Sequence, residues 1–209
     1  MSFNSPKPDC SLCPRLKEFR QANAVKFPDK HNAPVDPFGP LDAELLIVGL
    51  APGLKGANFT GRPFTGDYAG DLLYPTLVKF GYAAGAYAKH KDDGLTLLNC
   101  RITNAVRCVP PENKPTTDEI NTCRPFLVDE IAAMPRLKAV LSLGLVSHNA
   151  VLKTFGHKIS AFKFSHNSCY RLNERVALID SYHCSRYNTN TGRLTPQMFE
   201  QVFETIKIA

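Results

Sequence analysis

Four cysteines stand at spacings that could hold a metal centre. Cys10 and Cys13 form a C-x-x-C pair, and fourteen residues lie between Cys108 and Cys123. A C-x-x-C turn sets two sulfurs side by side, as a zinc ion or an iron–sulfur cluster requires. The second pair must fold back onto the first to complete four thiolates, and Pro110, Pro111 and Pro115 stiffen the loop that would do so. Spacing alone leaves three readings open: zinc, a cluster, or a surface turn with two free thiols. The chain has seven cysteines, an odd number, so they cannot all pair in disulfides. Cys100, Cys169 and Cys184 have no partner at ligand spacing. The first two read as core or surface thiols.

The other candidate chemical groups fall in three loops. Residues 49–71, GLAPGLKGANFTGRPFTGDYAGD, contain six glycines, which let backbone amides approach a ligand closely. Asp67 and Asp71 stand there at the entrance to a helix, where an acidic residue also serves as a cap. Residues 103–116, TNAVRCVPPENKPT, include Asn104. Residues 181–196, SYHCSRYNTNTGRLTP, include His183, Arg186, Tyr187, Asn188 and Arg193.

Each loop follows an apolar run. Residues 44–50 (ELLIVGL), 138–143 (KAVLSL) and 176–180 (VALID) have the pattern of strands buried on both faces, and 95–99 (LTLLN) reads as a strand continuing toward Asn104. Helical spacing links Ala69, Leu72, Leu73, Thr76, Leu77 and Phe80, with Gly81 as a stop. Thr116-x-x-Glu119 is a capping box for a helix carrying Ile120, Cys123, Leu127 and Ile131, and Pro125 is expected to kink or interrupt it. Residues 145–155 read as a helix after Gly144. Thr195-Pro196 opens the last helix, with Phe199, Val202, Phe203 and Ile206 on one face. Residues 21–43, with prolines at 28, 34, 37 and 40, read as a long irregular segment. Strands alternating with helices give an α/β fold with a mostly parallel sheet. In such sheets ligands bind beyond the carboxyl ends of the strands, where these three loops lie.

The length of 209 residues suits a single domain over 1–209. Net charge is +6 and the pI about 8.9, a balance that fits contact with phosphate backbones and equally fits many proteins that bind no nucleic acid. No apolar run approaches the roughly 20 residues of a membrane span, so no membrane partner is expected. The start MSFNSPKPDCSLCP lacks the apolar core of a secretory signal. A cytoplasmic location with reduced thiols is therefore expected, and metal or redox use of the cysteines comes before disulfides.

Three stretches, GLAPG…GRPFTGD…GD, TNAVRC-x-PP…C and H-x-S-R-x-NTNTGRLTP, resemble the iron–sulfur uracil-DNA glycosylases, most closely the family-five branch. The resemblance runs from Cys10 to about Pro196. It implies an α/β three-layer fold with a central four-stranded, mostly parallel sheet flanked by helices. It implies a structural [4Fe-4S] cluster on Cys10, Cys13, Cys108 and Cys123. The implied activity is hydrolysis of the N-glycosidic bond of uracil in DNA, with hypoxanthine and other deaminated bases as further substrates. The partner is then DNA holding such a base, and a monomer is expected.

The resemblance also implies roles for single residues. A base inside a duplex must be flipped into a pocket before it can be cut. Phe64 resembles the platform on which the flipped base stacks; a core phenylalanine is the plainer alternative. Asn104 offers an acceptor and a donor to the uracil edge, or ties down its loop. His183 can donate to a uracil carbonyl and stabilise the departing anion, although a lone histidine is more often structural. Asp67 resembles the acidic residue near the attacking water, and a helix cap is its alternative role. The backbone of the 51–54 turn, including Ala51 and Gly53, would contact the base or the water. Arg186, Tyr187, Asn188 and Arg193 would meet DNA phosphates and the gap left by the flipped base, or sit on a solvated surface.

Four positions depart from related patterns. Leu50 and Ala51 stand where other glycosylase branches carry an acidic or amide residue, which shifts the burden to Asp67. Cys184 stands where the family usually has proline, and Phe59 where a basic residue is expected. The Leu50 and Ala51 pattern supports the family-five branch, while the Cys184 and Phe59 departures keep one alternative open, an iron–sulfur protein that binds uracil-containing DNA with little or no turnover. A protein using its cluster for electron transfer would leave the first and third loops unexplained.

Overall fold

The computed structural model describes residues 3–208. Its strands are β1 (Leu45–Gly49), β2 (Ala83–Ala84), β3 (Thr96–Leu97), β4 (Cys100–Asn104), β5 (Ala139–Leu143), β6 (Cys169–Arg171) and β7 (Ala177–Ser181). Its α-helices are α1 (Pro14–Lys26), α2 (Ala57–Thr60), α3 (Tyr68–Lys79), α4 (Thr117–Ala132), α5 (Leu145–Thr154), α6 (Arg186–Asn190) and α7 (Pro196–Ile208).

The sheet runs β4-β1-β5-β7-β6. The first four strands are parallel, and β6 adds an antiparallel edge to β7. Four parallel strands were legible in the sequence; the three-residue edge strand, too short to show a period, was not. Every residue of β1, β4, β5 and β7 is buried, as helices on both faces require. Alternate residues point to opposite faces. Leu45, Ile47, Leu141 and Ile179 pack toward α3 and α7, while Leu46, Val48, Val140 and Leu178 pack toward α4 and α5. This gives three layers with a core on each side of the sheet.

The expected helix signals are realised. Thr116 and Glu119 form the reciprocal capping box of α4, and Thr195 Oγ accepts from the Met198 amide at the start of α7. Three expectations are corrected. Residues 95–99 do not form one strand with β4: Thr96 and Leu97 pair instead with β2 in a separate hairpin. Pro125 does not break α4, which runs continuously through it. Residues 21–26 are not irregular but close α1, which starts at Pro14 directly after the C-x-x-C turn. The buried stripe of α1 is Leu16, Arg20 and Asn23, at helical spacing but two-thirds polar, so a search for apolar period misses it.

Candidate active site

The site is built where β1 and β4 end side by side. Gly49 pairs with Asn104 in register. A Cβ on Gly49 would lie 2.4 Å from Asn104 Oδ1 and 2.6 Å from Phe64 Cζ. The missing side chain therefore lets the amide and the ring converge. Phe64 itself is buried and held at φ 52°, a left-handed conformation that costs a bulky residue free energy. Its surroundings impose it. Tyr87 Oη donates to the Phe64 carbonyl at 3.3 Å and accepts from the Gly66 amide at 3.2 Å. Tyr74 Oη donates to the carbonyl of Pro63, and Arg62 Nε donates to Thr65 Oγ at 2.8 Å. Arg62 in turn makes a buried bidentate pair with Asp93 and lies over the rings of Phe38, Tyr74 and Tyr87.

Asp67 caps α3, with Oδ1 accepting from the Ala69 amide at 3.1 Å. The cap and the site are not exclusive, because the same carboxylate faces the cleft. A Cβ on Gly56 would lie 2.5 Å from Asp67 Oδ2, and one on Gly53 3.4 Å from it, so the carboxylate rests against the glycine turn. Burial pushes its pKa above the usual carboxylate value, against the opposing effect of amides at Gly70 and Ala69. Asp71 is turned outward and pairs with Lys89 at 2.8 Å.

His183 follows β7. Its ring stacks near that of Phe64, with centroids 6.0 Å apart and 29° between planes, and burial pushes its pKa down to about 4. The imidazole is therefore neutral at pH 7, with a donor available. Asn188 Nδ2 donates to the His183 carbonyl at 2.8 Å, which places Asn188 behind the histidine, bracing it. Cys184 is fully buried in the core, and burial, followed by the Asp67 charge, raises its thiol far out of the reactive range.

Phe64, Asp67, Asn104 and His183 line one open cleft of about 670 Å³, together with Ala51, Gly53, Ser185 and Arg186. Among the described residues, neither the Asn104 amide nor the His183 ring has a protein hydrogen-bond partner. The cleft thus offers an aromatic face, an amide edge, a neutral imidazole and a carboxylate, all converging. That set suits a flat polar ring and a water beside it.

The comparisons with known proteins accord with this geometry. A sequence profile for the uracil DNA glycosylase superfamily matches residues 37–207. The chain belongs to the uracil DNA glycosylase superfamily. It is 41% identical to the type-5 uracil-DNA glycosylase of Thermus thermophilus over 203 residues, covering 95% of this chain and 92% of that one. It is 40% identical to the type-5 enzyme of Mycobacterium leprae, covering 95% and 90%, and 38% identical to that of Pyrobaculum aerophilum, covering 93% and 86%.

Three further residues shape the cleft of this superfamily member without having been singled out in the sequence. Gly49 was one glycine among six, and only its register with Asn104 reveals what it does. Asn113 lies on the cleft wall with φ 56°, after Glu112 at φ 55°. Tyr87, from the loop between β2 and β3, reaches the site only through the fold. Among the residues expected at DNA, Arg186 is at the mouth and Tyr187 is 71% exposed. Arg193 instead lies over the Tyr182 ring at 4.6 Å, outside the cleft lining. Phe59 is taken up by packing against Phe27, with centroids 4.9 Å apart.

The four candidate cysteines meet at a second hollow, lined by all of them and by Leu16, Val106 and Phe126. Burial raises Cys13 to about 11 and Cys108 to about 12, and the neighbouring thiols push both in the same direction. Among the described residues no three His, Cys, Asp or Glu side chains are drawn together so as to hold one metal ion. The thiols ring a shared space instead. The Arg107 amide donates to Cys123 Sγ at 3.4 Å. An all-sulfur donor set, a largely apolar lining that also includes Arg20 and Arg107, and an N–H···S bond fit an iron–sulfur cluster, in which each thiolate binds a different iron.

Proposed function

We propose that this protein hydrolyses the N-glycosidic bond of uracil in DNA, leaving an abasic site. The observation that carries this reading is the pair of unspent hydrogen-bonding groups, Asn104 and His183, aimed at the cleft beside the Phe64 ring. The Asn104 amide can accept from the uracil N–H and donate to a carbonyl. As the C–N bond breaks, its electron pair passes to the uracil ring. Neutral His183 donates to the carbonyl oxygen where that charge collects. Water adds to the sugar carbon and releases a proton. Asp67 is placed to orient that water, to take its proton or to face the sugar cation. Arg186 and Tyr187 at the mouth suit phosphate contact and the gap left by the flipped nucleotide.

The proposed range extends to hypoxanthine and other deaminated bases, as the resemblance to the family-five branch implies. Cys10, Cys13, Cys108 and Cys123 would hold a [4Fe-4S] cluster. Bound there, it would cross-link the start of α1 to α4 and stiffen the loop that follows Asn104. The Cys184 and Phe59 departures, which would argue for a binder without turnover, take no group out of the cleft. Cys184 is core and Phe59 has its own ring partner.

A single-turnover assay tests the proposal. Oligonucleotides bearing one uracil or one hypoxanthine are incubated with enzyme and then treated with alkali to break abasic sites. Cleavage of the uracil strand is expected, and the hypoxanthine strand sets the breadth. DNA binding without any cleavage would leave the non-catalytic binder as the better reading.

A further inference from the structure

Two buried arginines border the four-cysteine hollow, each with a donor that no described residue accepts. Arg20, on α1, is 5% exposed. It donates through Nη1 to the Pro8 carbonyl at 2.9 Å and through Nη2 to the Cys10 carbonyl, while its Nε is buried without a partner among the described residues. Arg107, on the loop after β4, is 1% exposed. Its Nη2 is held by Glu130 and its Nη1 is buried without a partner. Both side chains line the hollow. A guanidinium N–H buried without an acceptor carries the full desolvation cost of a charged donor.

The charges are placed with the same economy. Arg20 has no acidic partner among the described residues. Glu130 is shared between Arg101 and Arg107, so that group keeps one positive charge in excess. Together they put two uncompensated positive charges next to the thiols. A resting [4Fe-4S] core on four thiolates carries two negative charges, and a buried charge needs a counter-charge.

We infer that Arg20 Nε and Arg107 Nη1 donate charge-assisted N–H···S hydrogen bonds to the sulfur atoms of the cluster and offset its charge. This rests on the cluster assignment proposed above. The arginines are positioning and charge-balancing residues, outside the ligand set. Hydrogen bonds and positive charge near the sulfurs favour the reduced state and raise the reduction potential.

The test begins with iron and acid-labile sulfide on anaerobically purified wild-type protein. Zinc or no iron would sink the cluster assignment, and this inference with it. With a cluster present, the wild-type protein is labelled with 15N in the arginine side chains only. Pulsed EPR of the cluster in a paramagnetic state should then show 15N hyperfine coupling. The Arg20→Met and Arg20→Lys variants provide a second readout. The Met variant should have a lower reduction potential, by about tenfold in the reduction equilibrium, and should lose its cluster faster to an iron chelator. The Lys variant, which keeps the charge, should recover part of the potential. A silent 15N spectrum on a loaded cluster would overturn the inference while leaving the cluster assignment standing. So would a potential that is the same in wild type and in a cluster-loaded Arg20→Met variant.

Discussion

Gly49 and Asn104 face one another across the β1–β4 ladder, and the space left by the glycine side chain is filled by the Asn104 amide and the Phe64 ring. A methyl group at Gly49 must displace one or both. Gly49→Ala is expected to lower the single-turnover rate on uracil DNA by roughly 100-fold, the penalty for misplacing a contact by about 1 Å. It should destabilise the protein by only about 1–3 kcal/mol of overpacking. A rate unchanged within twofold would remove this pair from the site.

Burial raises the Asp67 pKa, so the fold holds the charged carboxylate at a cost. A group whose folded pKa is raised contributes stability below its unfolded pKa and loses it as pH rises through the folded one. Asp67→Asn keeps a good N-cap for α3 and removes the charge. It is expected to raise the melting temperature at pH 7 while slowing cleavage by about 10²–10⁴-fold, and to abolish the acid limb of the rate profile. Differential scanning calorimetry and single-turnover rates between pH 4 and pH 8 check both halves.

His183 shifts in the other direction, from 6.5 to about 4. Stability held above pH 6.5 is therefore lost as pH falls toward 4, because the folded state resists protonation. His183→Gln should flatten that slope. Urea midpoints of wild type and variant at pH 7 and pH 5 give the comparison, and a wild-type drop no larger than the variant's would contradict a desolvated, neutral imidazole.

Tyr87 acts on the reaction through Phe64. Its hydroxyl bridges the Phe64 carbonyl and the Gly66 amide, and so braces a backbone held at positive φ. Tyr87→Phe leaves the Gly66 amide without its acceptor and is expected to cost about 1–3 kcal/mol of stability. A barrier rise of about 1.4 kcal/mol would slow cleavage tenfold. The signature of a brace is a fall in rate with DNA affinity unchanged, read by single-turnover kinetics beside fluorescence anisotropy.

Arg186 stands at the cleft mouth with an exposed side chain and no acidic partner among the described residues. Arg186→Ala should weaken DNA binding regardless of the base and reduce the salt slope by about 1. An unchanged slope between 50 and 200 mM salt would place Arg186 off the phosphate path.

The sequence by itself determined the layers and the location of the chemistry. Continuous apolar runs announced β1, β5 and β7, because strands covered on both faces need no polar residue. Thr116-x-x-Glu119 and Thr195-Pro196 announced α4 and α7, because caps are satisfied by residues close in the chain. The strand ends and the loops after them held Phe64, Asp67, Asn104 and His183, and a parallel sheet sends these to one end. What needed the tertiary structure was every relation across the chain. The buried stripe of α1 is mostly polar, and its Arg20 makes sense only beside the cysteines of a distant loop. Asn188 braces the His183 backbone, and Tyr87 reaches Phe64 from 23 residues away. Gly49 is one of many glycines until the register sets it against Asn104. Local pattern records which face of an element is buried; which groups then meet is decided by packing, where a few tenths of an ångström separate a contact from a clash.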